Sequence, residues 1–218
     1  LQNRTDTKFV FNADILPTIL TDIVPYYSIL EIKEKRTNSY KTLYFDTPDL
    51  QSYIQHHNGK ANRIKVRFRK YIESELNYLE VKFKNNKSRT IKARTKTNDI
   101  ETELSDVSKQ FVNDNSYSFF DGQEIIPTLW NSFTRLTLVH KTANERLTID
   151  FNLGFKSFSD NREENIPHII IAEVKQEKAS SNSDFIKAIR KLPFGNFVSF
   201  PAEMMRTSFN IMNIGMKE

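Results

Sequence analysis

The 218-residue chain has no cysteine, five glycines, and no apolar run approaching the length of about 20 residues that a membrane helix needs. Without cysteine there can be no disulfide, zinc–thiolate site or cysteine nucleophile. With so few glycines, neither a phosphate-binding P-loop nor a dinucleotide-binding fingerprint can be found. The N-terminus is polar, so no secretory signal is expected. Internal repeats and low-complexity tracts are also lacking, and the only candidate linkers are short, at Asn113–Ser116 and Asp160–Asn165.

What is present suits one domain over 1–218 with a sizeable core: 38% hydrophobic residues, 27% charged residues and seventeen phenylalanines. Bulky aromatics favour a β-rich core. Lysine and arginine total 32 against 27 acids, a net charge of +5 that decides nothing until the cations are placed.

The pattern predicts an opening strand over Lys8–Phe11 and a helix over Asp14–Val24, capped by Asn12 or Asp14 with Pro17 near its first turn. Strands are expected over Ile29–Arg36 and Ser39–Phe45. A helix from Thr47-Pro48 to about His57 is closed by Asn58-Gly59. Three strongly patterned strands follow over Arg63–Tyr71, Tyr78–Lys84 and Arg89–Lys96, with a turn at Asn85-Asn86. Helices are expected over Ser105–Asn113 and Ile125–Trp130. Then come strands over Phe133–Lys141, Arg146–Phe151, Phe155–Phe158 and His168–Lys175, a helix over Ser183–Lys191, and a last helix over Pro201–Asn210. Together these give an α+β fold whose strands, about eight of them, form an antiparallel barrel with flanking helices.

Side chains alternate across a strand with period two. Arg63, Lys65, Arg67 and Arg69 therefore share one face, opposite Ile64, Val66 and Phe68. Glu80, Lys82 and Lys84 lie opposite Leu79, Val81 and Phe83. Lys92, Arg94 and Lys96 repeat the pattern. Arg146, Thr148 and Asp150 lie opposite Leu147, Ile149 and Phe151, and Glu173 and Lys175 end an apolar run. A single strand of this kind is an ordinary solvated face. Five in succession, dominated by arginine and lysine, point to a surface that binds a polyanion such as a phosphate chain. The interspersed acids Glu173, Glu80 and Asp150 either hold Mg²⁺ or Mn²⁺, which take oxygen ligands and often share them with phosphate, or only pair with nearby arginines and lysines.

These pieces, in order, resemble the VTC domain of vacuolar transporter chaperone-type polyphosphate polymerases and their bacterial relatives, within the triphosphate tunnel superfamily that also holds CYTH-type phosphatases. The resemblance runs from Asp6-x-Lys8-Phe9 through Tyr44-Phe45-Asp46-Thr47, Lys65-Val66-Arg67-Phe68-Arg69, Leu79-Glu80-Val81-Lys82 and Ile91-Lys92-Ala93-Arg94. It continues with Arg135 and Arg146-Leu147-Thr148-Ile149-Asp150 and closes on Ala172-Glu173-Val174-Lys175. It implies a barrel tunnel in which Lys8, Arg67, Arg69, Lys82, Lys92, Arg135 and Arg146 grip phosphates and act in transfer, with Glu173 as the metal-binding glutamate. Arg63, Lys65, Arg94 and Lys175 would add substrate contacts. The implied reaction moves the terminal phosphate of ATP to a polyphosphate chain with Mn²⁺ or Mg²⁺. A tunnel triphosphatase and a non-catalytic polyphosphate-binding module remain alternatives.

The absence of cysteine fits a cytoplasmic protein, and a membrane-protein partner not visible in this chain is an open option that would hold it at the inner face of a membrane. One stretch departs from the family: Phe194-Gly195-Asn196-Phe197 stands where the polymerases carry Phe-Ser-Lys-aromatic, so Asn196 replaces a cation at a substrate position. His56 and His57 end a helix, where histidine is ordinary. His140 and His168 read as surface or paired residues, and Trp130 as core. Nucleic acid is not expected as a partner, because the aromatic residues between Lys65 and Tyr71 fall opposite Arg67 and Arg69.

Overall fold

Arg63–Tyr71 forms a strand because over residues 63–69 its even positions are apolar and its odd positions cationic; Ile64, Val66 and Phe68 are fully buried. A computed structural model describes residues 5–87, 89–177, 181–193 and 197–201. The strands are β1 (Thr5–Asn12), β2 (Tyr27–Ile29), β3 (Thr37–Asp46), β4 (Arg63–Tyr71), β5 (Leu76–Lys84), β6 (Thr90–Thr97), β7 (Ile126–His140), β8 (Glu145–Ser157), β9 (Glu163–Ile166), β10 (Ile169–Gln176) and β11 (Phe197–Pro201). The helices are α1 (Leu16–Ile23), α2 (Gln51–His57), α3 (Asp106–Asn115) and α4 (Asp184–Arg190). The fold is α+β with extensive antiparallel pairing, and eleven strands are described where about eight were expected.

The described residues fall into two compact units, each built from separated stretches of chain. Unit 1 takes in 5–39, 133–153 and the described residues from 165 to 201; unit 2 takes in the described residues from 40 to 132, together with 154–164. In unit 1 hydrogen-bonded neighbours run β11-β1-β10-β8-β7, with β2 also on β7. Its core joins Phe9 and Phe11 of β1, Ile19 and Ile23 of α1, Leu147 and Ile149 of β8, and Phe185 and Ile189 of α4. In unit 2 the order is β7-β3-β4-β5-β6, and the core joins Leu43 and Phe45 of β3, the apolar faces of β4 and β5, and Val112 of α3.

Caps account for several helix boundaries. Asn12 accepts a hydrogen bond from the Asp14 amide, and Ser105 and Ser183 cap α3 and α4. Asp46, 3% exposed, accepts from the amides of Thr47 and Ser52 through Oδ1 and of Tyr53 through Oδ2. This carboxylate holds the start of α2, which explains its place after Tyr44-Phe45 in the sequence. Asp46→Ala strips three amides of a charged acceptor, and a loss of about 2–4 kcal/mol is expected in urea unfolding. A loss below about 0.5 kcal/mol, the scale of an ordinary surface change, would overturn that role.

In unit 1 a buried polar cluster fixes α4. The Tyr27 hydroxyl donates to Glu145, which also accepts from Ser183 Oγ at 2.9 Å and Gln176 Nε2 at 2.7 Å. Burial and the neighbouring carboxylate raise the Tyr27 pKa well above the ordinary phenol range. His140 pairs with Asp184 at 2.9 Å, as expected for a paired histidine.

Four expectations are corrected. Ile29–Arg36 is not a strand, because Lys33 and Glu34 have φ of 49° and 62° and make a tight turn closed by Ile32 and Lys35. Ile125–Trp130 is not a helix: Pro127 and Thr128 sit at the start of the long strand β7, with Thr128 Oγ1 donating to the Tyr44 carbonyl at 3.1 Å. The strands expected over Arg146–Phe151 and Phe155–Phe158 are one, β8, which absorbs a left-handed Asn152 at φ 52°. Part of the linker expected at Asp160–Asn165 belongs to β9. Beyond Pro201, which ends β11, the last expected helix lies outside the described residues.

Candidate functional site

Register turns the polar face of unit 2 into a grid. Arg67 of β4 pairs with Tyr44 of β3 and with Glu80 of β5, which pairs with Arg94 of β6. One row to one side are Lys65, Lys82 and Lys92; one row to the other are Thr42, Arg69, Tyr78 and Lys96. Arg63 pairs with Lys84 beyond the lysine row. On β4, β5 and β6 this face therefore carries Arg63, Lys65, Arg67, Arg69, Lys82, Lys84, Lys92, Arg94 and Lys96 against the single acid Glu80.

Glu80 is 1% exposed and is held from two sides. Arg67 donates Nε and Nη2 to its Oε2 at 2.8 and 2.6 Å, and Lys92 Nζ lies 2.6 Å from Oε1. Burial alone would raise the Glu80 pKa; Arg67, Lys92 and Arg69 outweigh it and hold the carboxyl at about 2. Burial likewise works against the Arg67 guanidinium, but Tyr44 and Glu80 raise its pKa. Lys92 shifts the other way: burial lowers its pKa, with Arg67 and Arg69 adding to the effect against Glu80. Glu80 thus offsets part of the repulsion on a face that still holds a large excess of cations.

The polar face of unit 1 is mixed. Lys8 of β1 pairs with Glu173 of β10, which pairs with Thr148 of β8; the next row is Asp6, Lys175 and Arg146. Glu173 lies 3.9 Å from Lys8 Nζ and also accepts from Lys175. Thr148 Oγ1 is buried with no hydrogen-bond partner among the described residues. Arg135 of β7 holds both oxygens of Asp150, at 2.5 and 2.6 Å, and Arg146 is exposed. Among the described residues no three histidine, aspartate or glutamate side chains converge to hold a metal.

The register thus gathers Arg63, Lys65, Arg67, Arg69, Glu80, Lys82, Lys92 and Arg94 on one face of unit 2. Lys8, Arg135, Arg146, Asp150, Glu173 and Lys175 belong to unit 1. Asn196 lies outside the described residues. Sequence reasoning missed Tyr44, whose hydroxyl accepts from Arg67 Nη1 at 3.2 Å, and His56, whose Nε2 is 3.4 Å from Lys65 Nζ. The alternation of Tyr40, Thr42 and Tyr44 was the available signal for β3, but it carries no cation. One premise about aromatics is also corrected: Phe68 lies opposite Arg67 and Arg69, whereas Tyr71 shares their face.

The VTC domain family model matches residues 3–206. The chain belongs to the VTC domain family. No curated protein matches this VTC domain. Among solved structures, a candidate adenylyl cyclase from Hippeastrum, described as having a dominant triphosphatase activity, is 12% identical with a TM-score of 0.54, covering 99% of this chain and 97% of its own. That likeness shows the fold. The PH1819 protein of Pyrococcus horikoshii is 12% identical with a TM-score of 0.47, covering 97% of this chain and 99% of its own. A candidate adenylate cyclase from Bacillus halodurans is 11% identical with a TM-score of 0.47, covering 87% of each chain. No helix among the described residues of the VTC domain is long and apolar enough to cross a membrane.

Proposed function

We propose that this VTC domain is a metal-dependent polyphosphate polymerase, transferring the terminal phosphate of ATP to a polyphosphate chain. The observation that carries the reading is the grid on unit 2, where nine arginines and lysines stand in register around one buried acid. Arginine forks grip phosphate oxygens bidentately and lysines add point charge. Closure of the sheet into the tunnel that the family resemblance implies is part of the same proposal, as is a membrane-protein partner that receives the polymer.

In the proposed step a terminal oxygen of the chain attacks the γ-phosphorus. The bond from that phosphorus to the bridging β–γ oxygen breaks, a new P–O bond forms, and ADP leaves. The side chains hold both phosphate partners in line and stabilise charge on the transferring group, with no protein nucleophile. Glu173 would hold a Mn²⁺ or Mg²⁺ ion shared with the substrate phosphates, since it is one carboxylate in register with Thr148, whose buried hydroxyl has no hydrogen-bond partner among the described residues, rather than part of a protein cage. Such an ion supplies charge neutralisation on the phosphates. Glu80 and Asp150 pair with Arg67, Lys92 and Arg135, as Glu173 does with Lys8 and Lys175; the family resemblance singles out Glu173 among the three.

The test is turnover of the purified protein with ATP and Mn²⁺, scoring long-chain polyphosphate, ADP and orthophosphate together. Polymer with ADP, abolished by EDTA, is expected. Orthophosphate without polymer would replace this reading with a triphosphatase, and tight polyphosphate binding without ATP consumption would replace it with a binding module.

A further inference from the structure

The cationic rows of unit 2 end in tyrosine. Tyr71 lies two residues beyond Arg69 on the same face, Tyr40 pairs with it on β3, and Tyr78 pairs with Arg69 on β5. The rings form a connected cluster: Tyr40 and Tyr71 meet edge-to-face at 5.0 Å, and Tyr71 and Tyr78 at 5.9 Å. Arg69 lies 5.5 Å over the Tyr40 ring and Arg94 4.8 Å over the Tyr78 ring. All three tyrosines are half-buried, so each keeps ring surface in reach of a ligand.

Along β4 the face runs through four cations, Arg63, Lys65, Arg67 and Arg69, and then changes to tyrosine at Tyr71, in steps of about 7 Å for each pair of residues. A nucleoside triphosphate changes in the same direction, from anionic phosphates to an aromatic base. Cross-strand aromatic pairs also stabilise sheets. That role alone does not call for rings at the end of a phosphate-binding face with guanidinium planes over them.

We propose that Tyr40, Tyr71 and Tyr78 form a stacking platform for the base of a nucleoside triphosphate whose phosphates lie on the adjoining arginine and lysine rows. This rests on the phosphate-binding reading above and assigns the nucleoside end of the donor. Stacking tolerates any base, so the platform selects nucleotides over inorganic phosphate chains without choosing strongly among bases.

The experiment compares ATP with ribose 5-triphosphate, which keeps the phosphates and sugar and lacks the base, by calorimetry on the whole protein with Mg²⁺. ATP is expected to bind about tenfold more tightly, and Tyr71→Leu to shrink that ratio below threefold. Equal affinities in the wild type, or an unchanged ratio in the variant, would overturn the platform while leaving phosphate binding intact. The wild-type comparison decides the matter even if the variant does not fold. Binding of neither compound would sink the phosphate-binding reading and the platform with it. Displacement of ATP by a short oligonucleotide without a triphosphate, at comparable affinity, would reassign the tyrosines to nucleic acid.

Discussion

Arg67→Ala is expected to lower polyphosphate affinity at least tenfold and to destabilise the protein by about 3 kcal/mol. The two effects share a cause. The guanidinium lies at the centre of the grid and makes two of the bonds that compensate the Glu80 carboxylate, which is 1% exposed. Removing it leaves Lys92, whose side chain is 42% exposed, as the remaining salt-bridge partner at 2.6 Å. Unchanged polyphosphate affinity in this variant would remove the grid from the binding face.

The same pair sets an acid limit. Glu80 titrates at about 2 in the folded protein against an ordinary value of 4.5. Its folded pKa is depressed, so its stabilisation is fully present above about 4.5 and is lost as pH falls towards 2. The full contribution is about 3 kcal/mol. Glu80→Gln should flatten the dependence of the urea midpoint on pH in this window, and a slope equal to that of the wild type would show that other groups set it.

Glu173→Gln is expected to lower metal-dependent turnover by at least about a hundredfold, since it removes the carboxylate assigned to the ion. It also removes the charge facing Lys8 and Lys175, the latter with its side chain 11% exposed, so some loss of stability accompanies it. Thermal unfolding separates the two effects. Mn²⁺ with tripolyphosphate should raise the midpoint further than tripolyphosphate alone in the wild type and not in the variant. Full activity together with an intact Mn²⁺ increment would take Glu173 out of the metal site.

The sequence was most legible where one strand face is wholly apolar. β4 was expected over the residues it occupies, because Ile64, Val66 and Phe68 alternate with four cations. The cations of β4, β5 and β6 were each assigned to the correct side of their strand for the same reason. Their grouping into rows was not legible, since register is settled by cross-strand pairing that no single strand encodes. That is why Glu80 could be read either as a metal ligand or as a partner of nearby cations, while the identity of those cations, Arg67 and Lys92, was not legible. Tyr44 was quoted as part of a motif without a role, because a tyrosine on a polar face looks the same whether it meets solvent or an arginine. The long strand β7 was misread at its start, where Ile125–Trp130 was expected as a helix; the pairing that overrides it comes from Tyr44, far away in sequence.

Pairing distance also orders assembly. In unit 2 the β4–β5–β6 meander joins neighbours through short turns, so its ladders can close as soon as residue 97 is available. In unit 1, β1 waits for β10, Thr5 pairing with Gln176, and for β11, Phe11 pairing with Phe197. Closing such a loop costs chain entropy before any contact rewards it, and slows folding. During synthesis the cationic meander can therefore take shape while β1 is still unpaired, and the ladder that bears Glu173 is completed only when the last third of the chain emerges.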